Sequence, residues 1–296
     1  MKILISGGTG FIGQALKQKL MASGHQVAIL SRSKGAVLWN PDQSFLAENA
    51  FDGIDALIHL AGENIGAKRW TPARKREIIE SRTKGTNLLV EALNTRTHSI
   101  KTVLFASAIG FYGSDSGELL CTETSPAGDD FMADCVKQWE ASAEKLNPSI
   151  RSVTFRIGLV LDPHNGIFPK VATPIKFGIG SALGTGKQWQ SWIHLEDLCQ
   201  FFISALENNS LKGTYNAVAP EPIQQLAMAK AIASFLKKPF FLPAVPSFVL
   251  KTILGEMACL VLGGNKVSCK KFVEEANYEF VFSTFNQALK NLLTNV

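Results

Sequence analysis

Three glycines at positions 7, 10 and 13 constrain this chain more than any other feature, because they follow directly on the short apolar run Lys2 to Ser6. That run has no turn residue and suits a strand buried in a parallel sheet. Beyond the glycines, Ile12, Leu16 and Leu20 recur at helical spacing, and Ser23-Gly24 closes the segment as a helix C-terminus does. Bare backbone where a strand turns into a helix lets a pyrophosphate approach and rest on the positive end of the helix. A further strand at Gln26–Leu30 completes the unit, so a dinucleotide site is expected. Gly7, Thr9, Gly10, Phe11, Ile12 and Gly13 would surround its phosphates.

Arg32 closes the second strand nineteen positions after Gly13, with Ser31 before it and no Asp or Glu nearby. An acidic residue there would favour NAD through the ribose hydroxyl, whereas Arg accommodates a 2′-phosphate, so NADP(H) is the expected cofactor. The run Ala56 to Gly62 predicts another central strand. Its end, Leu60, Ala61, Gly62 and Glu63, offers small residues for a dinucleotide to cross. His59 reads as a partly buried strand residue without a catalytic role.

Thr71-Pro72 predicts a helix start, a capping hydroxyl followed by proline at the first helical position, with the helix running to about Asn94. Arg82 falls on the same face as Ile78, Gly85 and Leu89. A cation on a buried face needs an anionic or polar partner, so Arg82 is a candidate site residue or half of a structural ion pair, for instance with Glu63. Strands are further expected at Thr102–Ala106, 152–157 and Gly213–Ala217, and a helix from Phe131 to about Leu146. Ser107 and Tyr112 follow the first of these strands, where open α/β sheets place their ligands.

These elements predict an α/β fold, a Rossmann-like doubly wound parallel sheet with a smaller, mostly helical C-terminal lobe. Residues 1–161, with segments returning near 191–217, form the nucleotide-binding part; 162–190 and 218–296 form the substrate lobe. Lys68, Arg69 and Trp70 in one loop, and Gln188 and Trp192 in another, are expected to face each other across the cleft as substrate contacts. Packing of the tryptophans within the lobe is the bland alternative.

Five cysteines without a Cys-x-x-Cys pair read as free thiols in a reducing, cytoplasmic setting, and no metal site is expected. A net charge of +5, spread along the chain, argues against a nucleic-acid partner. The most hydrophobic late stretch, Phe248 to Leu262, is too short to span a membrane, so no membrane partner is expected. A monomer or homodimer acting on a small molecule is anticipated.

Gly-Gly-Thr-Gly-Phe-Ile-Gly at 7–13, Leu-Ala-Gly at 60–62, Ser-Ala-Ile-Gly-Phe-Tyr-Gly at 107–113 and Trp-Ile-His-Leu-Glu-Asp-Leu at 192–198 together resemble the extended short-chain dehydrogenase/reductase superfamily of nucleotide-sugar epimerases and dehydratases. Lys-Arg-Trp-Thr at 68–71, Ser-Pro-Ala-Gly-Asp-Asp-Phe at 125–131, Gly-Lys-Gln-Trp-Gln-Ser-Trp-Ile-His at 186–194 and Leu-Gly-Glu-Met-Ala at 254–258 are similar to its atypical epimerase-family group. The resemblance implies a Tyr-x-x-x-Lys proton relay on the helix after the Ser107 strand, yet that helix has no tyrosine. If Glu140 matches the usual downstream glutamate, the relay places hold Met132 and Val136. The usual catalytic hydroxyl would fall on Ala108, beside Ser107, and Arg82 replaces a common Asn. Two readings stay open. One is an NADP-dependent oxidoreductase or epimerase in which Ser107, Tyr112 and Arg82 rebuild the relay, with Arg82 near Ser107 or Tyr112. The other is a non-catalytic NADP(H) sensor or regulatory protein.

Overall fold

The computed structural model describes residues 1–32 and 37–294. The loop after Arg32 and the last two residues of the expected lobe lie outside the described residues. In chain order, β1 (Lys2–Ser6), α1 (Phe11–Ala22), β2 (Gln26–Ser31), β3 (Val37–Asn40), β4 (Phe45–Leu46) and β5 (Ala56–His59) come first. They are followed by α2 (Pro72–Thr95), β6 (Thr102–Ala108), β7 (Leu120–Cys121), α3 (Phe131–Ala143), β8 (Arg151–Ile157) and β9 (Leu159–Leu161). Then come α4 (Phe168–Lys176), β10 (Trp189–Gln190), β11 (Trp192–His194), α5 (Leu195–Glu207), β12 (Gly213–Ala217) and β13 (Ile223–Gln224). The chain closes with α6 (Gln225–Phe235), α7 (Ser247–Leu254), α8 (Cys259–Leu262), β14 (Lys266–Val267), α9 (Lys270–Ala276) and α10 (Phe285–Thr294).

Eight strands form the central sheet in the order β12-β8-β6-β5-β1-β2-β3-β4, parallel throughout except for β4, which runs antiparallel to β3. The strand order reverses at β1, between β5 and β2, and such a switch point opens a crevice at the carboxyl ends of the strands. Successive residues of β1 point to opposite faces. Ile3 and Ile5 join Leu16 and Leu20 of α1 and Phe201 and Phe202 of α5 in one core, while Leu4 joins Leu89 and Leu93 of α2 in the other.

Helix starts follow their caps. The Thr71 hydroxyl accepts from Arg74 N at 3.1 Å with Pro72 behind it, as the sequence predicted. Asp130 caps α3, accepting from Ala133 N at 3.0 Å and from Ser114 N at 2.6 Å, so one carboxylate also fastens the loop after β6. Helix α3 ends at Ala143, short of the expected Leu146, and the chain turns into Asn147-Pro148, where a proline disfavours helix in the residue before it.

A third core joins α4, α6 and α10 around Phe168, Ile232 and Leu292. Its lobe is tied to the sheet by Asp197 of α5, whose carboxylate accepts from Tyr278 OH, Val281 N and Phe282 N at 2.9, 2.8 and 3.1 Å. Among the described residues no helix is long and apolar enough to cross a membrane.

Candidate functional site

The turn after β1 is built around missing side chains. Gly7 has φ +72°, in the left-handed region, and its carbonyl accepts from Gly10 N at 3.0 Å. A Cβ on Gly7 would lie 2.8 Å from Ala61 N, so the loop touches the end of β5 backbone to backbone. One on Gly13 would lie 2.3 Å from the Gly7 carbonyl, which brings the first turn of α1 against the loop. Gly10 stands at the N-cap in an extended conformation, and no side chain caps the helix. The first-turn N–H groups and the positive helix end therefore face the crevice, and Thr9 and Gly10 at the tip are exposed. This cradle fits a pyrophosphate. Arg32 is exposed just after β2.

His59 is fully buried rather than partly buried. It bonds Ser6 Oγ and, at 3.0 Å, Thr86 Oγ1, and burial lowers its pKa to about 4, so it is neutral and ties β1, β5 and α2 together. Beyond β5, Gly62 lies beneath Arg82, whose Cγ would be 3.3 Å from an added Cβ. Arg82 donates through Nη1 to Ile78 O and through Nη2 to Glu63 O, both at 2.9 Å, with its guanidinium carbon 5.2 Å from the centre of the Trp139 ring. Burial lowers the guanidinium's pKa. The Glu63 carboxylate belongs instead to Arg74, which bonds it at 3.1 Å and Asn64 O at 2.8 Å while pairing with Glu77 at 2.7 Å. Sequence reasoning missed Arg74. Its place one turn into a helix that starts beside Glu63 is the signal that could have found it.

The described hydrogen bonds of Arg82 reach neither Ser107 nor Tyr112, and in place of the alternative ion pair with Glu63 it bonds the Glu63 carbonyl. The reason is local: Arg82 lies over the end of β5 and meets Trp139 of α3, while Ser107 and Tyr112 belong to a network built on the next residue, Glu140. There the Ser107 hydroxyl, buried at the end of β6, donates to Glu140 Oε1 at 2.5 Å. Arg156 of β8 grips both Glu140 oxygens, at 2.9 and 2.8 Å, donates to Tyr112 OH at 3.2 Å, and stacks 3.3 Å from the Phe111 ring centre. Tyr112 in turn donates to Asn216 at 2.7 Å, and burial raises its phenol pKa, so it stays protonated at neutral pH. A fork of two nitrogens on two carboxylate oxygens, roofed by aromatic faces, is a closed charge pair.

Along α3 the positions four and eight residues before Glu140 face the loop after β6. Met132 Cε and Val136 Cγ2 come within 3.2 and 3.6 Å of a Cβ placed on Gly110. Met132 also packs on the cluster of Trp70, Ile78 and Cys135, which Phe131, Met257, Cys259 and Leu260 border as well. The stretch that supplies Met257 to Leu260 continues as a strap over the strand ends. Beyond α8, a Cβ on Gly263 would lie 2.2 Å from Ser114 O and one on Gly264 only 1.9 Å from Trp189 O. The strap then anchors through Asn265, which donates to Gly113 O at 2.7 Å, and through β14, which pairs with β7.

The two expected substrate loops are linked by this strap rather than by direct described contacts. Arg69 lies against Gly255, its Nε 2.8 Å from a Cβ placed there, and Lys75 pairs with Glu256, while Gln188 donates to Val261 O at 2.8 Å. Three expected substrate residues prove structural. Trp70 is buried, donating to Ile65 O and packing edge-on to Phe131. Gln188 is buried, holding Leu183 O and Val261 O. Trp192 is fully buried in the lobe core against Phe285, donating to Glu221 O. Large aromatics beside glycines are ambiguous in sequence, and here the apolar area decides. Lys68 and Arg69 are exposed.

A family model described as the NAD dependent epimerase/dehydratase family matches residues 3–218, and a domain of unknown function (DUF1731) matches residues 245–292. The chain is 37% identical over 306 residues to the epimerase family protein SDR39U1 homolog, chloroplastic, of Arabidopsis thaliana, covering 99% of this chain and 87% of that one. Among solved structures it superposes on the human epimerase family protein SDR39U1 (isoform 2) with NADPH at a TM-score of 0.91, with 33% identity and all of both chains covered. It also superposes on a nucleoside-diphosphate sugar epimerase from Corynebacterium glutamicum at a TM-score of 0.81, with 30% identity, covering 99% of this chain and 58% of that one. A bare-backbone phosphate cradle at a sheet switch point and full-length likeness to these relatives lead to one conclusion: this chain belongs to the NAD-dependent epimerase/dehydratase family, within the extended short-chain dehydrogenases/reductases.

Proposed function

We propose that this protein binds NADP(H) across the switch-point crevice and acts on a small substrate as an oxidoreductase or epimerase with a non-standard proton relay. The observation that carries the reading is the cradle of Gly7, Gly10 and Gly13, where added side chains would meet backbone and an uncapped helix start faces the crevice. Arg32 supports the phosphorylated form of the cofactor, and the NADPH bound to the human neighbour supports the same choice. When bound, the nicotinamide supplies or takes up hydride. The chain supplies position and charge. Leu60, Ala61, Gly62 and Glu63 form the floor over which the cofactor passes, and Arg82 sets a half-buried cation beside it.

Ser107 and Tyr112 serve in this reading as positioning residues, holding the end of β6 through Glu140, Arg156 and Asn216. With Met132 and Val136 in the relay places, no proton passes through a Tyr–Lys pair. Lys68 and Arg69 remain as substrate contacts, residues 162–190 and 218–296 form the substrate lobe, and the C. glutamicum neighbour supports a nucleotide-sugar-like substrate.

Titrating NADPH and NADH by nucleotide fluorescence, then following hydride exchange with a panel of carbonyls and nucleotide sugars, tests the reading. NADPH should bind more tightly and at least one substrate should turn over. Equal affinities overturn the cofactor assignment. Tight NADPH binding with no turnover on any substrate overturns the enzymatic half in favour of a sensor.

A further inference from the structure

The lobe carries a face that the crevice does not use. Residues 165–191 and 222–255 contain seven lysines (Lys170, Lys176, Lys187, Lys230, Lys237, Lys238 and Lys251) and not one Asp, Glu or Arg. These lysines alone exceed the +5 net charge of the whole chain. Among the described residues none of them takes part in an ion pair. The same two segments hold five of the most exposed large hydrophobic side chains: Phe177 at 76%, Phe241 at 75%, Phe248 at 72%, Ile253 at 65% and Ile179 at 63%.

The two segments run side by side. Gly178 lies against Pro239, Val245 N donates to Ala182 O, and Gly184 N donates to Val245 O, both at 2.9 Å. Within the Phe240-Phe241 pair, Phe240 packs on the lobe core and Phe241 is left outside. Helix α7 follows directly, apolar in sequence yet without one buried residue. Exposed large apolar side chains gathered on adjoining segments of a folded protein mark an interaction surface.

We propose that this face docks the protein peripherally on a bilayer surface rich in acidic phospholipids, the phenylalanines entering the headgroup boundary and the lysines meeting the phosphates. Charge decides the occupant. A second copy of the chain would bring lysines against lysines, with no carboxylate in either segment to receive them. A fluid interface accepts exposed rings beneath a basic rim without needing a shaped groove to receive them. The expectation of no membrane partner rests on spanning helices, of which the described residues hold none, and this face revises it for surface binding.

Co-sedimentation of the full chain with two kinds of vesicle tests this, one of phosphatidylcholine alone and one with about 30% phosphatidylglycerol. The chain should pellet with the acidic vesicles only, and release as salt rises to about 0.5 M. Phe241→Ser with Phe248→Ser should abolish retention. Lys237→Gln with Lys238→Gln should weaken it about 30-fold, at roughly fivefold per lysine. No retention on acidic vesicles, or undiminished retention of the phenylalanine double variant, overturns the proposal. Binding to polyglutamate without vesicle retention overturns it in favour of an acidic protein. A dimer that the phenylalanine variant dissolves, again without vesicle retention, overturns it in favour of self-association.

Discussion

Arg156 and Arg82 are buried or half-buried cations against two different faces of the same helix, α3, and the protein treats them differently. Arg156 is closed: a carboxylate grips it with two bonds, and a phenol and an aromatic face complete its surroundings. Arg82 is open: it has two carbonyls and the face of Trp139, but no carboxylate bonds it. Carbonyls satisfy N–H groups without neutralising charge. A charge left unneutralised beside a crevice is available to an anionic or carbonyl ligand, whereas one already paired is structural.

The largest effect should come from opening the closed cation. Arg156→Met leaves the Glu140 carboxylate buried without its partner, at a cost of about 3–5 kcal/mol in denaturant unfolding. A loss below about 1 kcal/mol would show that water already reaches the pair. Next, Arg32→Ala should remove the charge-assisted contact to the 2′-phosphate, about 1.5–3 kcal/mol, and so cut the preference for NADPH over NADH roughly 10- to 100-fold. An unchanged ratio in paired titrations would move the phosphate contact elsewhere.

A third buried group on the strand ends gives a pH effect of similar size. The folded pKa of His59, about 4, lies below the unfolded value of 6.5, so the unfolded chain binds more protons between those limits. Stability is therefore full above the unfolded value and falls as pH drops towards the folded one. Between pH 7 and pH 5 the loss from His59 alone is about 2 kcal/mol, and His59→Gln should flatten that part of the profile. An equally steep profile in the variant would assign the loss to other groups.

The smallest effect on stability, and the sharpest test of the contrast, is Arg82→Met. Without a carboxylate to strand, it should change unfolding by no more than about 1 kcal/mol while weakening NADPH binding or turnover. If it destabilises the protein as much as Arg156→Met and leaves cofactor binding intact, the two arginines are alike and Arg82 is structural.

What was legible in the sequence follows from how local each signal is. The glycine turn, the helix start at Thr71-Pro72 and the apolar runs of β1, β6 and β8 depend on neighbours within a few residues, and they appear within a residue or two of their expected bounds, while β5 stops at His59, three residues short of the expected Gly62. The short strands β3 and β4 went unread, since two to four residues carry no periodicity. The partners of Arg82, Trp70, Gln188 and Trp192 lie on other elements. No spacing rule announces that Glu63 turns its carboxylate to Arg74, or that Trp192 ends against Phe285. Arg156 stands near the end of the expected strand at 152–157, but its pairing with Glu140 depends on β8 lying beside β6. The motif at 192–198 was recognised as a pattern without its purpose, which is an anchor: Asp197 holds the lobe's last segment through three bonds.

The strap over the crevice carries a consequence for how such a site can be retuned. Its backbone threads between two carbonyls, those of Ser114 and Trp189, with gaps that admit no methyl at Gly263 or Gly264. Roof height is thus fixed by what two residues lack. A side chain at either would act as a shim, prying this segment away from the Ser114 and Trp189 carbonyls and loosening the neighbouring Met257, Cys259 and Leu260 on the Trp70 cluster. The spacing between these segments can therefore be adjusted at two positions that carry no side chain of their own.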